Sequence, residues 1–420
     1  MNEAFRYKDG TLHADGFALP KLAQEYGTPL YVYSASHIRA QYKKLTDALA
    51  GRQADICYAV KANPHTALIA LMKTLGAGAD IVSAGEMARA QKSGIAPENM
   101  VFSGIGKSND ELERAIAANI GQFNVESADE LERIDTLAKK HNKKAPIAFR
   151  VNPDIAADTH QKIATGKAED KFGIAIEQIP PLYEKAAGMA GLEPQGLAVH
   201  IGSQITNMES FAQAFAKLST LAKSIEAKGG TIKTLDIGGG LAVPYHKDEQ
   251  EADCTAYANL IQQYFSNFNG RLILEPGRFL TANAGILLSR IIGSKHTNKR
   301  NFLIIDAAMS DFMRPSLYDA HHEIALAEQK QGEKTHFDIV GPICESGDIM
   351  GRERELRQAE AGEVIAIFST GAYGASLGSQ YNSRPKAAEV LVDGDKKQLI
   401  TPREEPEAKI KQETLPDWLS

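Results

Sequence analysis

Apolar residues along this chain gather into short runs separated by segments of helical spacing. The runs are ICYAV from residue 56, ADIVS from 79, MVFSG from 100 and GQFNVES from 121, then PIAFRVN from 146, GLAVHIG from 196, TLDIGGG from 234 and RLILEPG from 271. Between them lie amphipathic stretches such as SADELERIDTLAKKH and SFAQAFAKLSTLAKSIEAKG, whose apolar residues recur every three to four positions. Strand then helix, eight times over, predicts an α/β fold of the (β/α)8 TIM-barrel type. Each strand is an apolar run and not an alternation, as expected where both faces of a parallel sheet are covered. An open doubly wound sheet is the alternative.

The pattern changes near residue 282. RIIGSK, NFLIIDAAM, THFDIVGPI, EVIAIFSTGAY and AAEVLVDGD read as strands divided by turns with little helix, which predicts a mostly β C-terminal domain. The first 35 residues, with GFAL and PLYVYS, are expected to pair with it. The expected division is therefore an N-terminal segment 1–35, a barrel over 36–281 and a β-rich domain, barrel or sandwich, over 282–420. No repeat or Gly/Ser linker interrupts the chain, so a packed interface with a ligand groove is expected.

Composition narrows the partners. Forty-seven basic against 53 acidic residues give a formal charge of -6, and no long single-sign run is present, so neither nucleic acid nor an anionic membrane is suggested. The opening MNEAFRYKDGTLHADG lacks a secretory layout and no segment is apolar enough to span a bilayer, so a cytoplasmic protein is expected. Three isolated cysteines, Cys57, Cys254 and Cys344, form neither a disulfide framework nor a thiolate metal site. His321 and His322 are adjacent and would point apart, so no metal is expected.

A barrel collects its chemistry at the carboxyl ends of its strands. Lys61 follows strand one in YAVKAN; Asp80 and Ser83 are read into strand two; Arg150 and Asn152 close strand five; His200 and Ser203 follow strand six. Gly238, Gly239 and Gly240 follow strand seven, and Glu275 to Arg278, EPGR, follow strand eight. Glycines beside Ser203 offer bare backbone N–H groups of the kind that hold phosphate, though a tight turn explains them as well. A lysine at a barrel mouth can form a Schiff base with a carbonyl, or simply snorkel from the rim. Together an amine, a phosphate cradle, an imidazole beside a planar ring and the Glu275 carboxylate facing a ring nitrogen describe a pyridoxal 5'-phosphate site.

The motifs YAVKAN, HIGSQ, DIGGG, EPGR, GPICESGD, GAYG and YNSRP closely resemble the barrel-type pyridoxal-phosphate decarboxylases of basic amino acids (fold type III), over nearly the whole chain and in the family's order. Cys344-Glu345 resembles the diaminopimelate branch of that family, where ornithine-type relatives usually carry Cys-Asp. The resemblance implies decarboxylation of meso-2,6-diaminopimelate to L-lysine and CO2. It implies that Lys61 holds the cofactor and exchanges it for the amine at the substrate's D-configured carbon, that Glu275 keeps the ring nitrogen protonated, and that His200 lies against the ring. Asp80 belongs to the cofactor-binding set. Phosphate contacts would come from Ser203, the N–H groups of Gly239 and Gly240, the loop at Gly277 and Arg278, and Tyr373.

By the same resemblance Arg278, Arg314 and Tyr318 bind the distal carboxylate, Glu345 binds the distal ammonium and Cys344 returns the proton, with Lys61 the other candidate. Some of these residues come from a partner chain in the family, which implies a homodimer with shared active sites. Decarboxylation of ornithine, arginine or carboxynorspermidine on the same scaffold is the competing enzyme reading. A racemase is disfavoured by Glu275, because such racemases put arginine at the ring nitrogen. A non-enzymatic cofactor carrier, or a cofactor-free sugar-phosphate barrel, leaves the motifs of 282–420 unexplained.

Overall fold

The computed structural model of the protein describes residues 4–155, 165–167, 169–357 and 359–419. These form two compact units: Arg39–Val243 with Gln250–Leu280, and Met1–Ile38 with Pro244–Glu249 and Thr281–Ser420.

The first unit is the barrel. Its strands are β1 (Ala54–Ala59), β2 (Gly78–Ile81), β3 (Met100–Phe102), β4 (Gln122–Val125), β5 (Ala145–Asn152), β6 (Leu192–Val199), β7 (Thr234–Asp236) and β8 (Arg271–Leu274). Each pairs in parallel with the next, and β8 pairs with β1, so the sheet closes and has no free edge. All eight expected strands are present, whereas the open doubly wound alternative is not what forms. Ser83 departs from the reading: it lies beyond β2, and its hydroxyl accepts the Glu86 N–H to cap the helix Ala84–Lys92. Ser108 and Ser127 cap Asn109–Ala118 and Ala128–Lys140 in the same way, and Asn207 and Asp253 start the helices Met208–Glu226 and Cys254–Phe265. A polar cap after each of these strands satisfies orphan N–H groups and fixes where the loop ends.

Inside the barrel the packing is apolar in one place and polar in another. Cys57, Val101 and Ile273 form a small buried cluster, each branched side chain contributing about 1.5–3 kcal/mol on burial. Gln122, Asn124, Thr234 and Asp236 are also buried, with mutual hydrogen bonds that make such burial tolerable.

The second unit is built on the long strand Gly285–His296. It pairs antiparallel with Asn301–Ile305, with Val364–Ile367 and with the N-terminal strand Leu30–Ser34, which in turn runs parallel to Ala388–Asp393. Phe5, Leu12, Leu19 and Leu22 from the start of the chain join Ile286, Leu288, Val390 and Val392 in one core. Among the described residues of this unit, the strands Phe5–Lys8, Thr11–Ala14, Ile324–Leu326, Ile349–Arg357 and Lys396–Thr401 lay outside the sequence reading. Among the described residues no helix is long and apolar enough to cross a membrane.

Candidate active site

In the barrel unit a cavity of about 180 Å3 is lined by Lys61, Arg150, His200, Asp236 and Glu275, with Ser103 and Asn124. Lys61 stands in the short turn Val60–Ala62 directly after β1. Its Nζ donates to Asp80 Oδ2 at 2.8 Å; Asp80 is fully buried while the lysine side chain stays 36% exposed. The amine is thus held by a charge partner as well as by partial burial. The second oxygen of Asp80 is buried without a partner.

Glu275 and Asp236 form a buried acid pair. Burial pushes the Glu275 carboxyl well above the carboxylate range, and the neighbouring Asp236 and Asp80 charges add to this. Asp236 is pushed up to about 6, also chiefly by burial, but it is eased by its hydrogen bond with Glu275, by Asn124 Nδ2 at 3.0 Å and by the Gly238 N–H at 3.0 Å. Glu275 Oε1 accepts from Ser103 Oγ at 3.2 Å and Asn124 Nδ2 at 3.3 Å. Glu275 therefore holds the proton in preference to Asp236.

His200 lines the same cavity. Burial, then the charges of Arg150 and Lys61, drives its pKa far down, so the imidazole is neutral. Its Nδ1 accepts the Gly239 N–H at 3.2 Å. The Gly239 N–H, expected among the phosphate donors, here donates to the His200 ring. Gly238 has φ +68°, and a Cβ there would lie 2.5 Å from the Val199 carbonyl oxygen and 2.9 Å from His200 Nδ1, so only glycine lets this turn close on the imidazole.

Arg278 is buried, and its Nε and one terminal nitrogen donate to Ser203 Oγ at 3.1 and 3.0 Å. Gly277 packs against Ala59 and Ala62 beside Lys61, with the Pro276 carbonyl accepting the Ala59 N–H. Arg150, also buried, pairs with Glu126 Oε1 at 2.7 Å and stacks over Phe172. The barrel therefore brings together Lys61, Asp80, His200, Glu275 and Asp236 at the ends of five different strands, with Ser203, Gly240, Gly277 and Arg278 on the adjoining loops.

In the second unit, Asp348 staples the loop that carries Cys344 and Glu345, accepting the N–H groups of Met309 at 2.6 Å and Ile343 at 2.7 Å. The Ser316 hydroxyl ties the same loop, through the Gly347 carbonyl at 2.6 Å, to the helix Arg314–Tyr318. Cys344 and Glu345 are exposed, whereas Arg314 is buried with its guanidinium 4.3 Å from the Tyr245 ring centre. Tyr373 adopts φ +54°, rare for a bulky residue, between Ala372 and Gly374. A Cβ at Gly374 would meet the Thr370 carbonyl oxygen at 2.3 Å, so this turn too is closed by glycine.

Two residues that sequence reasoning did not single out join this loop. The Tyr381 hydroxyl donates to Glu345, and Asn382 Nδ2 lies 3.8 Å from Cys344 Sγ. Both belong to the YNSRP motif, to which the resemblance assigned no role. Tyr245 and the hub residue Asn124 were likewise missed.

One histidine cluster also departs from expectation. His246, His321 and Glu323 present ligand atoms within 4.8 Å of one another. Arg354 donates to His321 Nδ1 at 2.9 Å, which leaves the ring's proton on Nε2, facing Glu323 at 3.3 Å. A metal-bound histidine needs an acceptor at its far nitrogen, not a guanidinium, so the cluster reads as a hydrogen-bonded group. His322 is buried between Tyr245 and Phe312.

Residues 35–282 match the family described as pyridoxal-dependent decarboxylase, pyridoxal binding domain. The chain belongs to the pyridoxal-dependent decarboxylases. Along its full length this decarboxylase is 46% identical to the diaminopimelate decarboxylase of Zymomonas mobilis, over 99% of each chain. It superposes on the crystal structure of diaminopimelate decarboxylase from M. jannaschii with a TM-score of 0.95 at 37% identity, covering 100% of this chain and 99% of that one. On the Helicobacter pylori diaminopimelate decarboxylase complexed with L-lysine the TM-score is 0.90 at 40% identity, covering 94% of this chain and 99% of that one. The residues present fit the cofactor of the family: an amine at a strand end, a proton-bearing acid and a neutral imidazole share one cavity, and the buried Asp80 carboxylate pairs with the amine.

Proposed function

We propose that this protein removes CO2 from the D-configured end of meso-2,6-diaminopimelate, giving L-lysine, with pyridoxal 5'-phosphate as its cofactor. The observation that carries the reading is the buried Glu275 carboxyl in one cavity with Lys61 and the neutral His200. Bound there, pyridoxal phosphate supplies an electron sink for the carbon that loses its carboxylate.

The chain's own residues divide the remaining work. Lys61, with Asp80 beside it, keeps an amine at the strand end that would hold the cofactor. Glu275 would pair with the ring nitrogen and sustain its positive charge. His200, fixed by Gly239, would pack beside the ring. Ser203, Gly240, Gly277, Arg278 and Tyr373 would supply hydrogen-bond donors to the phosphate.

Recognition of the second amino-acid end separates this substrate from plain diamines. Arg278, Arg314 and Tyr318 bind its carboxylate, for which a guanidinium offers a two-point match. Glu345 pairs with its ammonium, and Tyr381 fixes the Glu345 carboxylate in place. Cys344 delivers the proton that replaces CO2.

The exposure of Cys344 and Glu345 supports their working across an interface between two copies, and hence a homodimer with shared sites. Mixing Lys61→Ala with Cys344→Ala protein should then restore part of the activity that neither variant has alone. No restoration in mixed, reassociated samples would assign both residues to one chain.

The test of the function is CO2 release by the purified protein with pyridoxal phosphate, on meso-diaminopimelate, L-ornithine, L-arginine and L-lysine in parallel. Release from meso-diaminopimelate alone is expected. Release chiefly from ornithine or arginine would keep the chemistry and overturn the substrate.

A further inference from the structure

The barrel interior carries a chain of side-chain hydrogen bonds that the catalytic assignments leave unused. Thr234 Oγ1 donates to Gln122 Oε1 at 2.7 Å, and Gln122 Nε2 donates to Asn124 Oδ1 at 2.9 Å. Asn124 Nδ2 then faces Asp236 Oδ2 at 3.0 Å, Ser103 Oγ at 3.1 Å and Glu275 Oε1 at 3.3 Å. All six side chains are buried.

The direction of this chain follows from its acceptors. Two carboxylates converge on one end of the Asn124 amide, so that end is the NH2 group, which has just two hydrogens to give. Its oxygen must then accept, which orients Gln122 and draws the Thr234 hydroxyl proton to the Gln122 oxygen. The backbone carbonyl of Asn124 is itself held by the buried Lys107 ammonium at 2.8 Å, so β4 cannot shift to relax the contact. The amide is therefore a rigid bridge between two acids.

We infer that Asn124 is a positioning residue that keeps Asp236 ionised and so leaves the shared proton on Glu275, the carboxyl that pairs with the cofactor's ring nitrogen. This rests on the cofactor reading above. The Glu275–ring link contains one proton. Without the amide, Asp236 keeps the Gly238 N–H and its hydrogen bond with Glu275, and competes more strongly for the shared proton. The other groups facing the pair are Lys61, Asp80, Cys57 and Tyr257, with Arg150 beyond His200. Asn124 donates to Asp236 from outside the acid pair, so its loss shifts the competition.

The test is the dissociation constant of pyridoxal 5'-phosphate from the full-length protein across pH 6 to 8. In Asn124→Ala, binding should weaken about tenfold at pH 8, equivalent to about one pH unit of proton affinity. At pH 6 both acids can be protonated, so the competition fades and the loss should fall below about threefold. Asn124→Ala/Asp236→Asn removes the competitor and should restore the wild-type profile. Asn124→Ser, whose hydroxyl can serve only one acid, should move the same way and serves if the alanine variant does not fold. A loss equal at every pH, or no change, would reduce Asn124 to packing.

A second measurement needs no cofactor. The carboxylic-acid band in the infrared spectrum of cofactor-free protein near pH 7, to which the buried Glu86 carboxyl, raised to about 7, also contributes, should lose intensity in Glu275→Gln and keep it in Asp236→Asn. The reverse pattern would overturn the assignment of the proton. Failure of the wild-type protein to bind pyridoxal phosphate at all would instead overturn the proposed function, and the infrared band, measured in Asn124→Ala as well, would then judge the bridge: an unchanged band would reduce Asn124 to packing.

Discussion

Lys61 Nζ lies 2.8 Å from Asp80 Oδ2, joining a partly exposed amine to an acid that has no solvent exposure. The acid sits in β2, one strand away from the amine, and the parallel register of β1 and β2 places Ala59 opposite Asp80. Breaking a buried pair from one side leaves an uncompensated charge. Lys61→Ala should therefore lower activity below about a thousandth, abolish the absorbance of bound cofactor, and lower the melting temperature of the cofactor-free protein. Retained cofactor absorbance at an unchanged wavelength would refute the covalent role.

Glu345 and Tyr381 form the second pair with a measurable consequence. Glu345→Asp withdraws the carboxylate from the distal ammonium, and kcat/KM for meso-diaminopimelate should drop at least about tenfold, about 1.4 kcal/mol, with cofactor affinity unchanged. Tyr381→Phe should act in the same direction, chiefly on KM, because the hydroxyl only orients Glu345. Equal losses of cofactor and substrate binding would make both residues structural.

Cys344 is exposed and has Asn382 Nδ2 at 3.8 Å from its sulfur. If it returns the proton, Cys344→Ala should slow turnover by about 10^2- to 10^4-fold. Substrate should still displace Lys61 from the cofactor, which a rapid-mixing absorbance change would report. Wild-type turnover in that variant would pass the role to Lys61.

Asp311 supplies a pH prediction. Burial raises its carboxyl from 3.8 to about 6 against the easing effect of the Ala308 N–H. The folded state thus holds a proton that the unfolded state gives up sooner, so this group's contribution to stability falls as pH rises from about 4 to about 6 and is then constant. Asp311→Asn can still accept from Ala308 without titrating. The variant should gain on the wild type across that window, reaching roughly 3 kcal/mol above pH 6, read from chemical denaturation at several pH values. A pH-independent difference would exclude the titration as its cause.

The barrel was legible because its strands are covered on both faces, which writes each one as an apolar run such as PIAFRVN. Ile349–Arg357 was not, since IMGRERELR alternates charge onto an exposed face and pairs with Lys334–Val340 by backbone bonds that composition does not reveal. Lys61, His200 and Glu275 stood out as polar residues at the ends of apolar strands. Asn124 did not: it lies within a strand, where an asparagine without its partners looks like any other polar interruption.

The sequence by itself determined the barrel, the β-rich second unit, the lysine-bearing strand end and, through GPICESGD and EPGR, the family. Those features are local, written in periodicity, in glycine positions and in short motifs. Only the tertiary structure decided which acid faces which donor. Asp236 and Glu275 are 39 positions apart in sequence, Asn124 lies more than 110 residues from Asp236, and Glu345 meets Tyr381 across 36 residues. Proton placement in such a pair depends on distances of a few ångströms in a medium without water, and chain order alone does not set them.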